Sequence, residues 1–289
     1  MMSFWTDALG AQVKYYDAGG WRTRVLEAGE GTPVIMMHGL SGHAEGFIRN
    51  VVPISQAGFR AISMDAIGHG LSAKPLDVTY HAPLFVEHLK RFMDAIGAEK
   101  AHLVGQSLGG WTAFNFAQAY PDRVASLISI TGAGFLLSDA ESQAESARIH
   151  QQVKNVTKKA SEAPTRDKVK ERLQWLMWDK SVATDELVDT RFHFFMLPDS
   201  RAAMPKMVEE QPGEENRKYL LDEAQLAKLD IRTKIIWSDH NPTTPWTVAK
   251  KVSEIMPNAD FSLVESAGHW PQFEQADAVN RLVIDFLKG

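Results

Sequence analysis

The most reactive arrangement in the chain lies in residues 101–112, Ala-His-Leu-Val-Gly-Gln-Ser107-Leu-Gly-Gly-Trp-Thr. Gly105-Gln106-Ser107-Leu108-Gly109 fits Gly-x-Ser-x-Gly. A short apolar run, Ala101 to Val104, precedes it, and a helical pattern, Leu108 to Tyr120, follows it. A serine pinned in so sharp a strand-to-helix turn is strained and accepts only small neighbours, and its hydroxyl projects from the top of the sheet. Gly105 and Gly109 meet that need, and Gly110 lets the helix pack closely. The start of the helix offers backbone N–H groups, that of Leu108 first, to a developing oxyanion. This is the chemistry of a serine nucleophile acting on a carbonyl carbon.

Such a serine needs a base. Of the 10 histidines, His269 has the right setting: Ser266-Ala267-Gly268-His269-Trp270-Pro271 follows the last strand pattern and precedes the last helix. In an alternating strand–helix layout that loop lies at the carboxyl edge of the sheet, beside Ser107. His38-Gly39 follows the third strand, and its loop is where a second oxyanion N–H arises, most simply that of Leu40. The His38 ring, Asp65 and the Gly68-His69-Gly70 turn read as structural, holding these loops by hydrogen bonds.

The totals narrow the class. The 289 residues, 44% of them hydrophobic, suit one large α/β domain with an inserted subdomain. A net charge of −5, from 31 basic and 36 acidic residues spread along the chain, argues against a nucleic-acid surface. The absence of cysteine excludes disulfides, thiolate metal sites and cysteine nucleophiles. No two histidines share a helix face beside a carboxylate in a zinc-like motif, so no metal is expected. Met1-Met2-Ser3-Phe4 opens no basic-then-apolar leader, and no run approaches the roughly 18 apolar residues of a membrane span. A soluble, cytoplasmic protein acting on a small molecule, with no membrane or nucleic-acid partner, is the expectation.

The positioning elements follow from periodicity. Val13–Tyr16 and Arg22–Glu27 read as a hairpin. Thr32–Met37 is a buried strand, and Arg60–Met64, Val124–Thr131, Lys234–Trp237 and Phe261–Glu265 are further strands. Helices are expected up to about Gln56, and over Pro83–Ile96, Leu108–Tyr120, Pro245–Met256 and Gln272–Leu287. Residues 135–225 carry no convincing strand. Helical pattern there covers Glu141–Lys159, Thr165–Trp178 and Thr184–Leu197, punctuated by Pro164, Pro198, Pro205 and Pro212-Gly213. The expectation is a mostly parallel eight-stranded sheet flanked by helices, formed by 1–134 and 226–289, with a helical insertion over 135–225 after the sixth strand.

In this order, the His38-Gly39 loop, Gly68-His69-Gly70-x-Ser72, Gly105-x-Ser107-x-Gly109 and Gly268-His269 resemble the α/β-hydrolase fold superfamily over nearly the whole chain, least so in 135–225, where that superfamily carries its cap. The run Gly268-His269-Trp270-Pro271-Gln272-Phe273-Glu274, with Asn280 to Leu287, is very similar to the meta-cleavage-product hydrolases. Gly42 to Asn50 and Ala57 to Arg60 add to the likeness. So does Leu187-Val188-Asp189-Thr190-Arg191-Phe192, whose arginine in that family grips the dienoate carboxylate. The resemblance implies a cofactor-free serine hydrolase cleaving a C–C bond in the vinylogous 1,5-diketones made by ring cleavage of catechols. It places Arg191 on the substrate carboxylate and, by analogy alone, implies a homodimer. Trp270, Phe47, Trp111, Phe135, Trp175 and Trp178 are candidates for an apolar pocket, though core packing is the simpler role for Trp175 and Trp178.

The chain also departs from the family. Gln106 replaces the usual Asn before the serine, next to the scissile carbonyl, and the loop after His38-Gly39 is short. The family reads Trp-Gly-x-x-Asp-x-x-x-Pro after the seventh strand. Here Trp237-Ser238-Asp239-His240-Asn241-Pro242-Thr243-Thr244-Pro245 puts Asn241 in the acid slot, with Asp239 two residues earlier as the alternative. An asparagine can orient the imidazole but cannot stabilise imidazolium by charge. Two other functions use the same scaffold: an esterase, lactonase or amide-type hydrolase on Ser107 and His269, or a ligand-binding member weakened in catalysis.

Overall fold

A computed structural model describes residues 3–289, apart from the side chains at 140, 141, 145, 146 and 150. The Met1-Met2 part of the leader reading lies outside the described residues. The chain opens with β1 (Gln12–Asp17) and β2 (Arg22–Ala28), an antiparallel pair turned through Gly19 and Gly20, both at positive φ. β3 (Pro33–Met37), α1 (Ile48–Gln56), β4 (Arg60–Met64), α2 (Ala82–Ala95), β5 (Ala101–Gln106), α3 (Leu108–Ala119) and β6 (Val124–Ile130) then alternate. The sheet runs β1-β2-β4-β3-β5-β6 and ends in two later strands, β9 (Thr233–Ser238) and β10 (Ala259–Val264). β2 is antiparallel to both neighbours, and the six strands from β4 to β10 are all parallel. Covered on both faces, the central strands read as continuous apolar runs, such as Val34-Ile35-Met36 and Ile235-Ile236-Trp237, all fully buried. The expected α/β-hydrolase sheet and its flanking helices are therefore present.

Between β6 and β9 the chain forms β7 (Phe135–Leu136), α4 (Ala140–Ser161), α5 (Arg166–Leu176), α6 (Asp185–Met196), α7 (Pro198–Glu210), β8 (Leu221–Asp222) and α8 (Glu223–Ala227). Four of these helices start on side-chain caps: Asp139 accepts from Ser142 N, Thr165 from Lys168 N, Thr184 from Leu187 N and Asp222 from Gln225 N. Each such cap is worth about 1 kcal/mol. Three expectations change. The segment is not free of strand, because β7 and β8 pair in parallel, Phe135 with Leu221 and Leu136 with Asp222. The expected boundary at 225/226 falls inside α8, which Asp222 starts with a capping box to Gln225. Pro198 does punctuate, opening α7 two residues after α6 ends, in a first turn where the missing N–H costs nothing, but Pro205 does not interrupt and is carried within α7.

α9 (Trp246–Ile255) lies between β9 and β10. The single C-terminal helix expected over Gln272–Leu287 is two, α10 (Pro271–Glu274) and α11 (Ala276–Lys288), broken at Gln275, which leaves the helical region at ψ 49. Among the described residues no helix is long and apolar enough to cross a membrane.

Candidate active site

Ser107 sits between β5 and α3 at φ 53, a left-handed conformation that a non-glycine residue holds only under constraint. Its neighbours supply that constraint. A Cβ on Gly105 would lie 2.2 Å from the Gly109 carbonyl oxygen, and one on Gly109 would lie 2.1 Å from the Met37 carbonyl oxygen. The turn is therefore closed against backbone on both sides, and only glycine fits. Leu108 opens α3, so its N–H belongs to the first turn, whose amides have no partner within the helix.

The loop after β3 that carries Leu40 is held by buried groups. His38 Nε2 accepts from Ala66 N at 3.1 Å, and His69 Nε2 accepts from Ser41 N at 3.1 Å. Burial pushes His38 down to about 4 and His69 well below its ordinary value, so both stay neutral and act as acceptors. Asp65 receives Ala44 N at 2.6 Å, Leu71 N at 2.8 Å and Arg24 Nη1 at 3.1 Å. The structural reading of His38, Asp65 and the Gly68–Gly70 turn agrees with these contacts.

His269 lies between β10 and α10. Its Nδ1 donates to Asn241 Oδ1 at 2.9 Å, while Asn241 Nδ2 donates to Thr244 O at 2.9 Å. That second bond fixes the amide with its oxygen towards the ring. The proton then belongs on Nδ1, and Nε2 is free to act as a base. Thr243, not singled out from the sequence, donates its hydroxyl to Asn241 Oδ1 at 2.9 Å and lies 3.2 Å from His269 Nδ1. Asp239 does not take this part. Its carboxylate accepts from Ser266 N at 3.0 Å and Ala267 N at 3.3 Å, so it staples the loop leading to His269. Of the two alternatives, Asn241 reaches the ring. Gln106 Nε2 donates to the His269 carbonyl at 3.0 Å, and Thr131 Oγ1 donates to the same oxygen at 2.9 Å. Gln106 thus ties the serine strand to the histidine loop as well as bordering the cavity.

Gly268 admits the end of α5. A Cβ there would lie 2.4 Å from Leu176 O and 2.7 Å from Trp178 N. His269 N donates to Leu176 O at 2.6 Å, and the Glu274 carboxylate accepts from both Gly268 N and Trp178 N. His269 is thus bonded directly to the inserted helices. Burial, and next the charge of Arg172, push His269 down to about 3, so its ring is neutral at physiological pH.

Ser107, His269, Leu40, Leu108, Gln106, Trp270 and Arg191 all face one cavity of about 170 Å³. Trp111, Phe135 and Trp175 line it too, so Trp175 is a pocket residue and not mere packing. Phe47 is buried elsewhere in the core, and Trp178 faces outward, stacked on His240 at 3.5 Å. Ser107 Oγ and His269 both border the space without bonding each other, a contact that in such sites commonly tightens around substrate.

Arg191, on α6, is only 1% exposed. Its Nη2 donates to Ser41 Oγ at 3.0 Å, but Nε and Nη1 find no acceptor. The guanidinium lies 5.2 Å from the Trp270 ring centre and 5.6 Å from that of Phe195. Burial, and next Arg172, lower it to about 9. Arg172, on α5, is 4% exposed with Nε and Nη1 unpaired, and burial lowers it to about 10. Sequence reasoning passed over Arg172. Its signal was position: Val169, Leu173 and Leu176 form the buried stripe of α5, and Arg172 lies within it. Among the described residues no Asp or Glu lines the cavity, and no cluster could hold a metal ion.

A strained serine after the fifth strand, a histidine after the last, and a helical insertion over both define an α/β hydrolase. The family described as alpha/beta hydrolase fold matches residues 32–276, and the chain belongs to it. Within that family the chain is 32% identical over 281 residues to a 2-hydroxy-6-oxononadienedioate/2-hydroxy-6-oxononatrienedioate hydrolase of Comamonas testosteroni, covering 92% of this chain and 91% of that protein. It is 31% identical to a 2-hydroxy-6-oxo-6-phenylhexa-2,4-dienoate hydrolase of Burkholderia cepacia, again covering 92% and 91%. Among solved structures, the meta-cleavage product hydrolase CumD of Pseudomonas fluorescens IP01 superposes with a TM-score of 0.81 at 26% identity, covering 97% of this chain and 98% of that one.

Proposed function

We propose that the protein is a cofactor-free serine hydrolase that cleaves the C5–C6 bond of a 2-hydroxy-6-oxohexa-2,4-dienoate. The observation that carries this reading is Arg191: a buried, half-unpaired guanidinium in the cavity shared by Ser107 and His269. An arginine so placed favours a planar carboxylate held bidentately. The names of the relatives above agree with it.

The carboxylate binds Arg191, and Trp270 packs beside it. His269 Nε2 moves the 2-hydroxyl proton, so that C5 is protonated and C6 becomes an ordinary ketone carbon. Ser107 Oγ, or water activated by it, adds to C6, and the N–H groups of Leu40 and Leu108 hold the resulting oxyanion. The C5–C6 bond breaks with its electron pair returning to the dienol fragment. One water is consumed, and a dienoic acid and a carboxylic acid leave. Asn241 keeps the proton on His269 Nδ1 throughout.

The test follows the visible absorbance of a dienoate mixed with protein, with Ser107→Ala alongside. Bleaching with release of both acids, lost in the variant, is expected. Absence of bleaching across aryl and alkyl dienoates, together with fast acylation by aryl esters, would replace this reading by the esterase one.

A further inference from the structure

Arg172 carries a cost that the reading above does not explain. It occupies the apolar stripe of α5, where a leucine would pack without desolvating a charge, yet two of its three guanidinium nitrogens are buried without an acceptor. A buried, unpaired charge is strongly destabilising. Arg172 also stands close enough to Arg191 and His269 to disfavour the charged form of each. Three arginines border the cavity; Arg217 is half-buried and paired with Glu214 at 3.4 Å, whereas Arg191 and Arg172 are buried with no carboxylate between them among the described residues. A monoanion satisfies one of them and leaves the other buried and repelled; two anionic oxygens satisfy both.

We propose that Arg172 is a second anion anchor, and that the substrate of this protein occupies the cavity as a dianion, with one charge on Arg191 and the other on Arg172. The proposal takes the first charge, the dienoate carboxylate, from the function proposed above; the second rests on Arg172. That second anionic oxygen has two chemical sources, a distal carboxylate on the acyl side of the scissile bond or the ionised 2-hydroxyl of the dienoate itself.

The experiment titrates Ser107→Ala protein with two alkyl dienoates of equal chain length, one ending in methyl and one in carboxylate, and repeats this with Arg172→Met and Arg172→Lys added. Arg172→Met is expected to weaken binding of at least one ligand about tenfold or more, with Arg172→Lys restoring most of it. Loss confined to the diacid identifies the distal carboxylate. Loss for both, with disappearance of the enolate absorbance of the bound ligand, identifies the 2-oxygen. Affinities within twofold for both ligands would overturn the proposal. If the Ser107→Ala protein binds neither dienoate, the function reading fails by itself. Glutarate and butyrate then serve as probes: an Arg172-dependent preference for the dicarboxylate supports the anchor, and its absence overturns it.

Discussion

Replacing Asn241 by aspartate tests how the site works with a neutral third member. His269 Nδ1 donates to Asn241 Oδ1 at 2.9 Å, and Thr243 N and Oγ1 donate to the same oxygen at 3.3 and 2.9 Å. A carboxylate inherits three donors there. When the ring becomes imidazolium in the transition state, its bond to that oxygen changes from a neutral acceptor to a charged one, a gain of about 1–2 kcal/mol, or roughly 5–30-fold in kcat. The second carboxylate oxygen, however, meets Thr244 O, which now accepts from Asn241 Nδ2 at 2.9 Å. Facing two acceptors costs about 1–3 kcal/mol of stability. Asn241→Asp is therefore expected to turn over a dienoate about tenfold faster, to move the acid limb of kcat to higher pH, and to melt a few degrees lower. Initial bleaching rates from pH 4 to 9 and a calorimetric scan measure all three. A variant with an unchanged rate and an unmoved acid limb would refute the claim that Asn241 orients the ring during the slow step.

Other perturbations follow from the same contacts. Arg172→Met removes a buried unpaired charge. A guanidinium lowered from its ordinary value to about 10 destabilises the fold by about 3 kcal/mol at neutral pH, so the variant is expected to be more stable by an amount of that order in urea unfolding. Gly268→Ala drives a Cβ to 2.4 Å from Leu176 O; the histidine loop and the end of α5 must separate, and a fall in kcat of about 100-fold with normal secondary structure by circular dichroism is expected. Acid unfolding is the fourth. His38, His88 and His269 are held at about 4, 3 and 3, and His69 well below its usual range, all by burial. Below about pH 6.5 the unfolded chain binds protons that the native one refuses, so stability is level above pH 7 and falls as pH drops, approaching a slope of about 5 kcal/mol per pH unit near pH 5. A stability profile flat from pH 7 to 5 would contradict this burial.

What the sequence disclosed depended on how local each cause was. Ser107 was legible because glycine spacing, strand and helix all lie within a dozen residues, and His269 because one loop after one strand must lie beside it. β7 and β8 were not, since two-residue strands joined across some 85 residues leave no periodicity of their own. α7 was hidden because proline reads as a breaker unless it falls in the first turn, as Pro198 does. Asp239 competed with Asn241 on sequence because both spacings reach the loop; the choice rests on two backbone amides, of Ser266 and Ala267, that claim the Asp239 carboxylate first. Arg191 was visible through resemblance alone. Arg172 breaks the apolar period of its helix, and a charge inside a buried stripe is the sequence signal on which its proposed role rests.

The neutral residue at 241 and the unpaired arginines belong to one electrostatic arrangement. Burial first, and next the charge of Arg172, make His269 a feeble base when the cavity is empty of anions, and Asn241 at its back offers no charge to offset them. A substrate anion on Arg172 cancels the one charge that lowers the ring, and so raises its basicity only when there is something to deprotonate. A permanent carboxylate at 241 would supply that help at all times, but it would also weaken the positive potential that attracts the substrate. The consequence is measurable without turnover. In Ser107→Ala protein the His269 ring nitrogens, followed by NMR against pH, are expected to titrate at higher pH when glutarate occupies the cavity than when it is absent. In Ser107→Ala/Arg172→Met the ring is expected to titrate higher already, with a smaller response to glutarate. An identical His269 titration in all four samples would show that the arginine charge does not reach the base, and the coupling between anchor and catalysis would fail with it.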